Sequence, residues 1–183
     1  MLASSCAACS IGQPPPDVSL LDLGYYQCNV QPIFDRSCAF TACHGNPGRP
    51  LFIYSASKTR IAGDQLIGES LTDKELCANF YRAAAFATPD PRDSQLITKP
   101  KTLDGYESQF HEGNYLFSEN DPEEQCFEHW MRGGRQATGT STASLPCHLP
   151  WRVAVDGTPA TCTPRALDCE SALTGPDLPE VMH

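Results

Sequence analysis

The chain has 183 residues, a formal net charge of −9, and 19% charged against 40% hydrophobic residues. That length allows one compact domain with tails. The acidic balance argues against nucleic acid and anionic membranes as partners and suits a basic protein surface. No stretch is long and apolar enough to span a membrane, and no basic start leads into an apolar segment as an intact signal peptide would.

Ten cysteines dominate the composition. Reducing compartments keep few thiols unless they bind metal. A zinc site usually pairs one close cysteine couple with another. Here Cys6 and Cys9 form the one Cys-x-x-Cys pair and no second pair answers it. An exported, disulfide-bearing protein is therefore expected, in the bacterial periplasm or on the outer cell surface. Leu2-Ala3-Ser4-Ser5-Cys6 loosely resembles a lipoprotein processing site, which makes Cys6 a candidate lipid anchor. The alternative is an ordinary disulfide or free thiol there.

In chain order, residues 1–19 form a leader in which Gln13-Pro14-Pro15-Pro16 favours an extended strut. Residues 20–135 have the periodicity of a domain. The first helical stretch runs over about Tyr25–Ser37 with Val30, Ile33 and Phe34 on one face. Pro32 interrupts it, so the helix is expected to start near Pro32, where proline is tolerated. The second starts at Thr72, with Glu75 completing a capping box, and runs to about Phe86. It carries Leu76, Phe80, Ala83 and Ala84 at helical spacing. The third has Asp121 as cap, Pro122 at its first position, Glu123 and Glu124 at its positive end, a stripe of Phe127, Trp130 and Met131, and a stop at Gly133 and Gly134. Residues 45–70 and 98–120 read as loop, and no alternating strand pattern appears. A mainly α domain with long loops is expected. Residues 136–144 have linker composition, and residues 136–183 as a whole form a tail that carries Cys147, Cys162 and Cys169. With little periodic apolar pattern, that tail is expected to lack its own core and to be stapled to itself or to the domain.

The chemistry-bearing segment is Cys38-Ala39-Phe40-Thr41-Ala42-Cys43-His44. Two cysteines followed at once by histidine are the pattern of covalent c-type haem attachment, in which two sulfurs form thioethers and the adjacent histidine reaches the iron. Four residues separate the cysteines here instead of the usual two, and a small disulfide loop is the competing reading. Cys147-His148 lacks a partner cysteine nearby and reads as a disulfide cysteine beside an incidental histidine.

The flanks carry more. Val30-Gln31-Pro32-Ile33-Phe34-Asp35-Arg36-Ser37-Cys38, leading into Cys43-His44-Gly45, resembles the entry segment of planctomycete-type and related bacterial single-haem cytochrome c domains. Pro91-Arg92-Asp93-Ser94-Gln95-Leu96-Ile97-Thr98-Lys99-Pro100, then His111-Glu112-Gly113, then the helix with Trp130 and Gly133-Gly134 resemble three further blocks of that family. The resemblance covers about residues 26–134. It implies a small cytochrome c-like domain with disulfide-stapled irregular tails, one covalent haem c, His44 as proximal ligand and His111 as distal ligand. From the residues alone, Met131, His129, His148 and His183 also stand as distal candidates. A methionine ligand would raise the reduction potential. Trp130 is expected to pack on the haem or on the first helix.

Electron transfer without catalysis is the leading expectation, since no nucleophile elbow, phosphate loop or metalloprotease pattern occurs. Redox proteins, within a larger electron-transfer assembly, are the expected partners. The rival readings are a peroxidase-like haem enzyme with an open distal face and a haem-free, disulfide-stapled binding or structural module. The remaining eight cysteines permit four disulfides. A Cys77–Cys126 bridge would clamp the second and third helices together.

Overall fold

The computed structural model describes residues 18–61, 67–101, 111–113, 116–118, 120–133, 147, 149–152 and 160–174. The leader up to residue 17 with Cys6 and Cys9, the 136–144 linker, His148 and His183 lie outside them. Among the described residues the protein is mainly helical, with no β-strand and one isolated bridge between Lys101 and Phe117. No helix there is long and apolar enough to cross a membrane.

Helix α1 occupies residues 23–38 and is continuous through Pro32. The expected start near Pro32 is therefore wrong. Asp22 caps the true start, accepting from the Tyr25 N–H at 2.8 Å. Two features carry the helix past the proline. Wider π turns, Tyr26–Val30 and Phe34–Cys38, alternate with α turns and relieve the clash of a proline ring with the preceding turn. The carbonyl four residues back, on Cys28, would lack a donor, and Arg152 Nη1 from the C-terminal segment donates to it.

Helix α2 (Asp73–Ala84) starts with the expected capping box. Thr72 Oγ1 accepts from the Glu75 N–H at 3.2 Å, and the Thr72 N–H donates to Glu75 Oε2 at 2.8 Å. A short helix, α3 (Gln95–Thr98), follows a 3-10 turn at Pro91–Asp93 and is capped by Ser94 Oγ, which accepts from the Leu96 N–H at 3.2 Å. Helix α4 (Pro122–Gly133) is capped by Asp121 Oδ1, 2.8 Å from the Glu123 N–H. Helix α5 (Cys169–Leu173) packs on α2.

The core lies where α1, α2 and α4 meet. Tyr26, Phe80 and Trp130 pack ring to ring, with centroids 5.3 Å (Tyr26–Trp130), 5.4 Å (Tyr26–Phe80) and 6.0 Å (Phe80–Trp130) apart. Each such buried side chain contributes about 1.5–3 kcal/mol, and favourable ring pairs add about 0.5–1.5 kcal/mol. Met131, Leu76, Ala83 and Ala84 are buried beside them.

Three disulfides tie the C-terminal segment to this core: Cys28–Cys162, Cys77–Cys169 and Cys126–Cys147. The anticipated Cys77–Cys126 bridge is not formed. Each of those helix cysteines faces a tail segment instead, so the tail is stapled to the domain and not to itself. Polar contacts follow the same path. Gln27 and Arg165 exchange two hydrogen bonds, of 3.0 and 2.9 Å, and Arg165 pairs with Asp73 at 3.0 Å. Trp151 Nε1 donates to Glu123 at 2.8 Å.

Candidate functional site

Helix α1 ends at Cys38, and the chain then winds tightly back. The Ala39 N–H donates to the Phe34 carbonyl, the His44 N–H to the Cys38 carbonyl, and the Gly45 N–H to the Phe40 carbonyl. Only glycine fits at position 45. A Cβ there would stand 2.5 Å from the Ala39 carbonyl oxygen and 2.9 Å from that of Phe40. The loop thus brings Cys38, Cys43 and His44 to one rim.

Helix α2 and the segment after this loop fix the histidine. Asn79 pairs with both backbone groups of Tyr54, at 2.8 Å each, and holds residues 51–55 extended along α2. The Ile53 N–H donates to the His44 carbonyl at 2.7 Å, and His44 Nδ1 lies 2.7 Å from the Leu51 carbonyl. A carbonyl can only accept, so Nδ1 carries the proton and Nε2 keeps its lone pair for a metal. Burial, aided by the charges of His111, Arg49 and Lys99, holds the His44 imidazole below its ordinary value, although the Leu51 carbonyl pulls the other way. Neutral imidazole is the ligating form.

His111 stands opposite. The two rings are 6.0 Å apart between centroids with planes inclined by 26°. The cleft they bound has a cavity volume of about 140 Å³ and opens to solvent. Its walls are apolar: Phe34 from α1, Leu51, Phe86, Leu96 from α3, Leu116, Phe117, and Phe127 from α4. Phe127 packs edge-on against Phe34 at 5.2 Å and lies 5.9 Å from Phe117. The mouth adds Cys43, Arg49, Lys99, Glu112 and Gly113.

Six of the eight cysteines among the described residues are in disulfides, and Cys38 and Cys43 are left as thiols. The competing reading of a small Cys38–Cys43 disulfide loop is not what the structure has. Burial, with the nearby Glu123 carboxylate, pushes the Cys38 thiol up to about 12. In this environment Cys38 is not a ready thiolate. Among the described residues no three His, Cys, Asp or Glu side chains converge as a protein-only metal site requires.

The remaining candidates fall elsewhere. Met131 is fully buried in the core and does not line the cleft, and His129 is exposed on α4. Trp130 packs on α1 and α2 through Tyr26 and Phe80, so of its two expected positions it takes the one against the first helix. The α4 residue that reaches the cleft is Phe127. Sequence reasoning missed Arg49, Glu112 and the phenylalanine lining; that a carbonyl in the loop after His44, near Pro47 and Pro50, accepts from its ring is an expectation the sequence allows without naming Leu51. The Pro91–Pro100 block was noticed as a motif, but its capping serine, Ser94, already marked a helix start. A scan against protein-family models, a search of curated proteins and a search of solved structures find no match to this chain.

Proposed function

We propose that this protein is a single-haem c-type cytochrome that transfers electrons and is not an enzyme. The observation that carries this reading is the pair His44 and His111, 6.0 Å apart between ring centroids with planes inclined by 26°, across an apolar cleft whose rim holds two unbridged thiols. The donor set fits the group. Cys38 and Cys43 would hold haem c through thioethers, and His44 and His111 would bind its iron. Bound there, the iron would accept and release one electron. The chain's own contribution is positional. Leu51 fixes the His44 tautomer, and two strong ligands keep the iron's surroundings nearly the same in both oxidation states. The apolar walls would lower the local polarity around the iron and so bear on the potential.

The fold is then a variant cytochrome c-like one, in which disulfides clamp the C-terminal segment onto the helices. The three bridges are compatible with an oxidising compartment, and we place the protein on the exported side of a bacterial cell. Its partners would be redox proteins, within a larger electron-transfer assembly.

The full chain, expressed with c-type haem maturation, should show sharp low-spin bands on reduction and should retain haem after denaturation. The Cys38→Ala, Cys43→Ala double variant should release it, and His111→Ala should turn the ferric iron high-spin. A protein without a Soret band would overturn the reading, and a His111→Ala protein that stays low-spin would remove His111 as ligand.

A further inference from the structure

His111 and His44 come from loops far apart in sequence, and among the described residues an ion pair at the cleft mouth joins those loops. Arg49 pairs with Glu112, the residue next to His111. Arg49 rests on the turn that directly follows His44, its N–H donating to the Asn46 carbonyl at 3.0 Å while the Asn46 N–H donates to the Cys43 carbonyl at 3.2 Å. On the other side of the histidine, Gly113 lies against its ring. A Cβ at Gly113 would be 3.1 Å from His111 Cε1 and 3.4 Å from Nδ1.

We infer that Arg49 and Glu112 form a clasp that keeps His111 over His44, and that they act as positioning residues for the distal ligand. The inference rests on the haem reading above. The pair is half exposed, with side-chain accessibilities of 38% and 60%. Such pairs contribute too little to decide folding. They do suffice to bias a two-state equilibrium between a bound and a displaced His111, and the apparent affinity of any ligand competing for that position scales with the displaced fraction.

The test uses carbon monoxide binding to the reduced, haem-loaded full chain. Glu112→Arg and Arg49→Glu should each raise the apparent affinity up to about fivefold, the range open to an exposed pair. The Arg49→Glu, Glu112→Arg swap should return it to within about twofold of the original. High salt should narrow the gap from both sides, because screening weakens the attraction in the original protein and the like-charge repulsion in the single variants. Urea midpoints measured alongside should not move, which separates ligand positioning from general loosening. Single variants that bind carbon monoxide no better than the original, or a swap that stays as open as the singles, would overturn the clasp while leaving the cytochrome reading intact. A chain that takes up no haem would overturn the haem reading itself, and one whose iron is five-coordinate before any change would remove His111 as ligand and the clasp with it.

Discussion

Replacing Glu75 by glutamine removes one charge without changing shape, at a side chain with no solvent exposure. Its carboxylate accepts from five donors. Arg60 Nε and Nη2 lie 2.9 and 2.8 Å away, the Ile61 and Thr72 N–H groups 2.8 Å each, and Thr72 Oγ1 3.1 Å. Arg60 is itself only 3% exposed. Glutamine would turn one acceptor into a donor facing other donors and leave the guanidinium buried without its counter-charge. Breaking a buried pair in this way costs about 3–5 kcal/mol, a large share of the roughly 5–15 kcal/mol that holds a domain folded.

Urea unfolding at neutral pH should therefore show a much lower midpoint with an unchanged slope. The pH dependence follows from the sign of the shift. Burial alone would raise the carboxyl, but the Arg60, Thr72 and Ile61 donors outweigh it and hold the carboxyl below its ordinary 4.5. A depressed folded value contributes stability that is fully present above the unfolded value and is lost as pH falls through the folded one. Glutamine does not titrate, so the gap between the two proteins should be constant at neutral pH and should narrow below 4.5. Equal midpoints at neutral pH, or a gap that persists undiminished into acid, would refute the argument. The consequence reaches the site, because Arg60 and Ile61 end the segment whose Leu51 carbonyl sets the His44 tautomer.

Gly45→Ala places a methyl group 2.5 Å from a backbone oxygen that cannot swing away, so it should destabilise by about 1–3 kcal/mol and lower the yield of haem-loaded protein. A haem content and urea midpoint equal to the original would count against the tight turn. Removing the Cys77–Cys169 bridge by a double change to alanine should cost about 2–4 kcal/mol, read as a fall in thermal midpoint. Peptide mapping of unreduced protein should place Cys28, Cys77, Cys126, Cys147, Cys162 and Cys169 in the three bridges, and a Cys77–Cys126 peptide would contradict them.

Local signals were legible where a few neighbouring residues suffice. Thr72 with Glu75 marked the start of α2, and Asp121 with Pro122 marked that of α4, because caps are satisfied within one turn. The motif at Cys38, Cys43 and His44 was legible as chemistry, and glycine at 45 turned out to be required by two backbone oxygens that the wound loop brings in. Pro32 misled, since the remedy for its missing donor comes from Arg152, more than a hundred positions later in the chain.

What the sequence alone determined is the mainly helical class, the α2 and α4 starts, the export-type cysteine content and the residues that pair two thiols with a histidine. The tertiary structure decided the rest. Disulfide partners depend on which distant segments dock, and no spacing rule encodes that. An apolar stripe tells which face of α4 is buried but not that Trp130 meets the core while Phe127 meets the cleft. His111 stood out in the sequence only by resemblance, because its segment has no periodicity. Its place opposite His44 joins segments far apart in the chain, which the Arg49–Glu112 pair and the Lys101–Phe117 bridge also connect.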